Sequence, residues 1–179
     1  VLAARKALAL FDDLPDHVAL SINASPTTVG SARFVELLLG LHPRRTVLEL
    51  TEHRRVDDYP LLQRHLALLR RRGVRVSVDD TGAGYASLSH IVRLAPDAIK
   101  LDRALVAGID VDPVRQALAA ALVHFAHRTG ALVIAEGVET ADELASVTTL
   151  GFDAAQGFHL ARPAPVADLF PPSPPSPRP

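Results

Sequence analysis

Short runs of alternating apolar and polar residues recur along this chain, and each ends in a side chain with chemistry. In Val74–Asp79, Val74, Val76 and Val78 fall on one face and Arg75, Ser77 and Asp79 on the other. Leu20 and Ile22 oppose Ser21 and Asn23; Leu48 and Leu50 oppose Glu49 and Thr51; Ile99 and Leu101 oppose Lys100 and Asp102. A period of two marks a strand with one apolar face. The runs predict strands over Val18–Ala24, Val47–Thr51, Val74–Asp79, Ala98–Asp102, Ala131–Glu136 and Asp153–Gln156. Helical spacing fills the intervals: Ser31–Leu41, Pro60–Arg72, Ser87–Leu94, Pro113–Thr129 and Thr140–Leu150, with a further helix over Val1–Phe11. Stop and start signals agree with these bounds. Asp112 is a cap before Pro113, Gly73, Gly130 and Gly151 close helices, and Thr140 with Glu143 forms a capping box.

Strands and helices alternating at about 25–30-residue intervals read as parallel β-α repeats. A strand sandwiched between two helical layers is apolar on both faces. Here one face is apolar, to meet helices, and the other is polar, which favours a barrel whose strand ends deliver an active site. Six units make either an open sheet or an eight-unit barrel without its first two strands. The final segment, Pro171–Pro179, is proline-rich and expected to be extended and unpacked.

Composition narrows the function classes. The net charge of -1 gives no global field for nucleic acid or an anionic membrane. The absence of cysteine removes disulfides, thiolate metal sites and thiol nucleophiles. No apolar run reaches the roughly 20 residues of a membrane span and no signal peptide is evident, so the expected compartment is the cytoplasm. The chain begins at Val1, within a predicted helix, and contains no methionine, which suggests a fragment. Lys6 and Lys100 are the only lysines and Asn23 the only asparagine.

Asn23, Glu49 and Asp79 are hard oxygen donors on successive strand ends, the donor type that Mg²⁺ and Mn²⁺ take. Asp79 and Asp80 lead into Thr81-Gly82-Ala83-Gly84, and adjacent strand-end carboxylates are expected to point to different sides, one metal for each. The bland alternative is an Asp-Gly turn. Glu52, one turn past Glu49, either coordinates or braces the loop after Asp80. Lys100 is a phosphate clamp, an activator of water, or the partner of a carboxylate such as Asp79. Glu136 is a candidate general base or metal ligand, and Glu139 a loop-orienting residue. Gln156 is placed to hydrogen-bond a base or water. Phe158 either stacks on a base or packs, packing being the simpler reading. His124 and His127 read as surface or interhelical residues, and Arg70–Arg72 as a solvated helix end.

The ordered set Ser21-Ile22-Asn23, Leu48-Glu49-Leu50-Thr51-Glu52, Val78-Asp79-Asp80-Thr81-Gly82-Ala83-Gly84-Tyr85, Ile99-Lys100-Leu101-Asp102, Ala135-Glu136-Gly137-Val138-Glu139 and Gln156-Gly157-Phe158 resembles the EAL domain family, bacterial cyclic di-GMP phosphodiesterases with a TIM-like barrel. The resemblance spans roughly Val18–Pro163. It implies an α/β, TIM-like (β/α) barrel lacking roughly its first two strands, over residues 1–163; the proline-rich composition beyond it is read as a disordered tail over 164–179. It implies hydrolysis of cyclic di-GMP to linear pGpG with two Mg²⁺ or Mn²⁺ ions. Asn23, Glu49, Asp79, Asp80 and Glu136 then match metal ligands. Lys100 matches the lysine beside the attacking water, Glu52 the support of the glycine-rich loop, and Gln156 a residue near water and metal. Gly82, Gly84 and Phe158 are carried as substrate contacts. A two-metal site can activate water and stabilise the leaving oxygen without a nucleophilic side chain.

Two departures stand out. The Glu-Ala-Leu segment that names the family is absent, so the isolated fragment is expected to be impaired. Thr81 replaces the usual aromatic after the paired aspartates. The competing readings are a cyclic di-GMP receptor without turnover and a protein-interaction module. The implied partners are cyclic di-GMP, a second copy of the domain and an upstream sensor, with no DNA and no membrane within the chain.

Overall fold

In a computed structural model, described for residues 2–40, 42–51, 56, 58–81 and 88–170, the alternating runs form one parallel sheet. Its strands are β1 (Leu20–Ala24), β2 (Thr46–Leu50), β3 (Arg75–Thr81), β4 (Ala98–Leu101), β5 (Leu132–Glu136) and β6 (Ala154–Gln156), hydrogen-bonded in sequence order. Every neighbouring pair is parallel. Helices carry the connections: α1 (Leu2–Leu8) precedes β1; α2 (Pro26–Val29) and α3 (Ala32–Leu39) follow it. Then come α4 (Tyr59–Arg71), α5 (Leu88–Leu94), α6 (Arg103–Val106), α7 (Pro113–Thr129), α8 (Ala141–Thr149) and α9 (Val166–Leu169). Among the described residues no helix is long and apolar enough to cross a membrane.

The face assignment follows the sequence pattern. Ile22, Leu48, Leu50, Val76, Val78, Ile99, Leu101, Val133 and Ala135 are buried beneath the helices, against Phe34, Leu38, Leu62, Leu66 and Leu69. The opposite face carries Ser21, Glu49, Ser77, Asp79, Lys100, Glu136 and Gln156. On a flat sheet β2 and β5 stand three strand spacings apart, about 14 Å. Carboxylate oxygens of Glu49 on β2 and Glu136 on β5 nevertheless lie within 4.8 Å of one another. The sheet therefore curls, with its polar face on the concave side.

Strand β3 carries a bulge: Val78 pairs with Ile99 but Thr81 with Leu101, so three steps of β3 span two of β4. The extra residue shifts the alternation, and Thr81 is buried at 3 % exposure on the side of Leu101. The period-two reading ended this strand at Asp79 and had no means of anticipating the shift.

Three other local features differ from expectation. The short helices α2 and α6 arise from Ser25 and Asp102, whose side chains accept from Thr28 N and Ala104 N. Arg70 is no solvated helix end. Its guanidinium donates to Leu94 O at 2.9 Å and Ala95 O at 2.8 Å, and it faces Asp97 at 3.6 Å. Finally, α9 lies inside the stretch read as a tail, with Val166 and Phe170 packed against the core. That stretch precedes the proline run and has apolar residues to bury.

The N-terminal segment is anchored by Arg45. Its guanidinium donates to Val18 O, Leu14 O and Pro15 O and lies 5.0 Å above the Phe11 ring.

Candidate active site

Parallel pairing brings the strand ends into one line. Asn23 is in register with Glu49, and Glu49 with Ser77, two residues before Asp79. Ala98 pairs with Leu132 and Leu101 with Ala135, which sets Lys100 and Glu136 at the same end of the sheet. Curling then converges Glu49, Asp79 and Glu136, whose carboxylate oxygens all lie within 4.8 Å of one another.

Lys100 rises between them. Its Nζ donates to Glu49 Oε1 and stands 3.3 Å from Asp79 Oδ1 and 2.5 Å from Glu136 Oε1. Two neutral groups complete the ring: Ser21 Oγ donates to Glu49 Oε2, and Gln156 Nε2 to Glu136 Oε1 at 2.5 Å. Asn23 is exposed beside Glu49 on the neighbouring strand.

The electrostatics follow from three carboxylates facing one ammonium. Burial alone would lower the Lys100 pKa, but hydrogen bonds and charge from Glu136 and Glu49 outweigh it and hold the ammonium above the ordinary lysine range. Burial pushes Glu136 the other way from a free carboxylate. Lys100 offsets part of that and the Asp79 carboxylate adds to it, leaving Glu136 at about 7.

The two alternatives for Lys100, ion pair or chemical group, are compatible in this geometry, since the ion pair holds it at the strand ends. Gln156 meets Glu136 directly. Glu139 pairs with Arg103 at 3.0 Å rather than with the cluster. Phe158 is not a packing residue: it is 54 % exposed, with the Arg162 guanidinium 4.6 Å above its ring. Gln156 and Phe158 line a cavity of about 660 Å³ together with Arg103, Glu139, Arg162 and Leu169. A second cavity, about 210 Å³, runs along the concave face beside Ser21, Glu49, Ser77 and Lys100. Glu52, Gly82 and Gly84 lie outside the described residues, as does the side chain of Asp80.

Sequence reasoning missed Ser21, although it shares a strand face with Asn23, two residues away. It also missed Arg103, for which no local signal exists. Arg103 is recognisable only through Gly137: φ there is +68°, and a Cβ would stand 2.6 Å from Arg103 Cγ. The loop after β5 therefore needs glycine to admit the arginine stem.

A curled parallel sheet that gathers acidic strand ends around a central lysine is a site of the β/α-barrel type, built at the C-terminal ends of the strands. The family model described as "EAL domain" matches residues 2–163, and the chain belongs to that family. Cyclic di-GMP phosphodiesterase PdeR of Escherichia coli K12 is 42 % identical over 118 residues, 66 % of this chain and 18 % of that protein. The EAL domain of Mycobacterium smegmatis DcpA superposes with a TM-score of 0.85 at 32 % identity, covering 92 % of this chain and 79 % of that one. Klebsiella pneumoniae BlrP1, solved as a manganese/cy-diGMP complex, superposes with a TM-score of 0.81 at 31 % identity, covering 90 % of this chain and 43 % of that one. The chain spans about a fifth of the length of the first curated relatives it matches.

Proposed function

We propose that this chain carries the catalytic face of a metal-dependent phosphodiesterase that hydrolyses cyclic di-GMP to linear pGpG. The observation that carries the reading is the convergence of Glu49, Asp79 and Glu136 around Lys100 at one end of the sheet. Relatives named cyclic di-GMP phosphodiesterases and a related structure holding manganese with the dinucleotide support it.

The donor set suits a divalent cation. All three donors are carboxylates, hard ligands of the kind Mg²⁺ and Mn²⁺ prefer. Three carboxylates face one ammonium, and with all three ionised the excess of two negative charges is what a divalent ion would balance. On this reading Glu49, Asp79 and Glu136, with Asn23 and Asp80, hold the ions. Bound divalent ions supply Lewis acidity toward phosphoryl oxygens and lower the pKa of water.

The chain's own residues then divide the remaining work. Lys100 stays protonated, so it serves as a fixed cation and donor near a phosphate and not as a base. Without a metal Glu136 lies at about 7; as a ligand it would be held ionised by the bound cation, and its work would be to hold the ion. Its Oε1 accepts from Lys100 and Gln156, which fixes the direction of the carboxylate. Gln156 keeps that carboxylate turned toward the cluster. Phe158 and Arg162 offer a stacking face for a nucleobase in the 660 Å³ cavity, a sequence-tolerant mode of nucleotide contact. Gly82 and Gly84 are proposed to let the backbone approach the dinucleotide, with Glu52 bracing that loop.

The test is cyclic di-GMP turnover with Mn²⁺, read as linear pGpG, in protein extended upstream to the length of the solved EAL domains. Metal-dependent product is the expected result. Binding without product would replace this reading with the receptor, and neither binding nor product would leave the interaction module.

A further inference from the structure

Glu143 lies in the first turn of α8 and is buried, with 6 % of its surface exposed. Its carboxylate collects three backbone N–H groups: Gly108 at 2.9 Å on Oε1, and Glu139 at 2.8 Å and Thr140 at 3.1 Å on Oε2. A capping box needs only the bond from Thr140, which is returned by Glu143 N to Thr140 Oγ1. The other two donors belong to loops. Gly108 follows α6, in the connection that leaves β4, and Glu139 lies in the connection that leaves β5.

The β5 connection is held from its other side as well. Val138 N donates to Gln156 O at 3.1 Å, and His159 N to Val138 O at 3.1 Å. Gly157 passes so close that a Cβ there would fall 2.2 Å from Val138 O. The few residues between Glu136 and α8 are therefore tied to β6 on one side and, through Glu143, to the β4 connection on the other. Glu136 is the last residue of β5, and the direction of its side chain depends on the backbone that follows it.

We propose that Glu143 is a positioning residue: by binding the amides of Gly108, Glu139 and Thr140 it fixes the loop that aims Glu136 into the carboxylate cluster. The inference rests on reading that cluster as a metal centre. Outer partners that orient metal ligands typically contribute about 10–100-fold to metal affinity or activity. A residue that only capped α8 would contribute to stability and leave metal affinity alone.

The experiment measures Mn²⁺ affinity of this chain by electron paramagnetic resonance of the free ion, well below the melting temperature. Glu143→Gln keeps the side-chain size but turns an NH₂ toward backbone N–H groups. It should weaken Mn²⁺ binding about 10-fold or more while retaining the wild-type circular dichroism spectrum. Asp153→Asn is the matched control. Asp153 Oδ2 accepts from Val133 N at 2.7 Å at the opposite end of the same strand, so this variant should melt lower with Mn²⁺ affinity unchanged. If Glu143→Gln does not fold, Glu143→Asp, which keeps the charge but shortens the reach, should show the same loss in smaller measure. Unchanged affinity in the folded Glu143 variant overturns the proposal, and so does an equal loss in both variants, which would be general loosening. A wild-type chain without Mn²⁺ affinity would instead sink the metal-centre reading, and this inference with it.

Discussion

At the N-terminal ends of the strands, carboxylates are matched one to one. Asp97 Oδ2 accepts from Val76 N at 2.7 Å and faces Arg70 at 3.6 Å; Asp153 Oδ2 accepts from Val133 N at 2.7 Å and from His127 Nε2 at 3.0 Å. At the C-terminal ends, Glu49, Asp79 and Glu136 share the single ammonium of Lys100. The residue types are the same at both ends. Where each carboxylate finds an amide and a basic side chain it acts as a staple between neighbouring strands. Where three carboxylates crowd one cation, attraction for a further cation remains, and that surplus is what distinguishes a binding site from a structural ion pair.

The sharpest way to break the contrast is to remove a charge from the crowded end. In the upstream-extended protein, Asp79→Asn should abolish Mn²⁺-dependent turnover, a loss beyond the roughly 10–100-fold that outer partners contribute, with melting temperature nearly unchanged. Retained turnover would mean that the carboxylates are not the metal's ligands. Removing the cation instead should show the surplus directly. Lys100→Met leaves three carboxylates facing one another, and breaking a mostly buried pair from one side costs about 3–5 kcal/mol. Metal-free protein should therefore melt lower than wild type, and Mn²⁺ should raise its melting temperature by more than it raises that of wild type. Equal shifts in both proteins would show that Lys100 and the ion do not share the same carboxylates.

A smaller effect separates Glu143 from the cluster through pH. Burial alone would raise the Glu143 pKa, but amides from Glu139, Gly108 and Thr140 outweigh it and leave the group below its ordinary value of 4.5. A lowered folded pKa contributes stability above the unfolded value and loses it as pH falls through the folded one. Wild type and Glu143→Gln should thus differ by about 1–3 kcal/mol at neutral pH, and converge in acid below that carboxylate's folded pKa. A difference that persists undiminished in strong acid would assign the effect to packing and not to the charge.

Much of this was legible because it depends on local rules. Period-two alternation told which side chains share a face, and parallel pairing of successive strands then put Asn23, Glu49, Asp79, Lys100 and Glu136 at one end of the sheet. Helix α7 follows its caps, Asp112 before it and Gly130 in the left-handed region after it. What escaped depends on contacts distant in sequence. Arg70 ends a helix in the pattern expected of a solvated cation, and only the fold brings Leu94 O and Ala95 O to it. The β3 bulge changes register by one residue, which no alternation rule encodes. Phe158 reads as core because phenylalanine usually is, yet the fold leaves it exposed and lining the cavity. Glu143 was visible as a capping residue, but its bond to Gly108 joins two loops that only the tertiary structure brings together.

The smallest predicted effect sharpens the comparison from the structural end. His127 lies in the last turn of α7, and its Nε2 is 3.0 Å from Asp153 Oδ2. Both side chains are partly exposed, at 45 % and 31 %, so solvent screens the pair and its contribution should be about 0–1 kcal/mol. The bond from Val133 N is different in kind: it reaches the same oxygen from inside the sheet, and losing it strands a backbone donor. His127→Ala should therefore lower the melting temperature only slightly, Asp153→Ala by more, and the double variant by little beyond Asp153→Ala alone. Strict additivity of the two would mean that the histidine does not act through Asp153. If His127→Ala proved the costlier change, the imidazole rather than the amide would be the staple, and the one-to-one matching at this end of the sheet would have to be redrawn around α7.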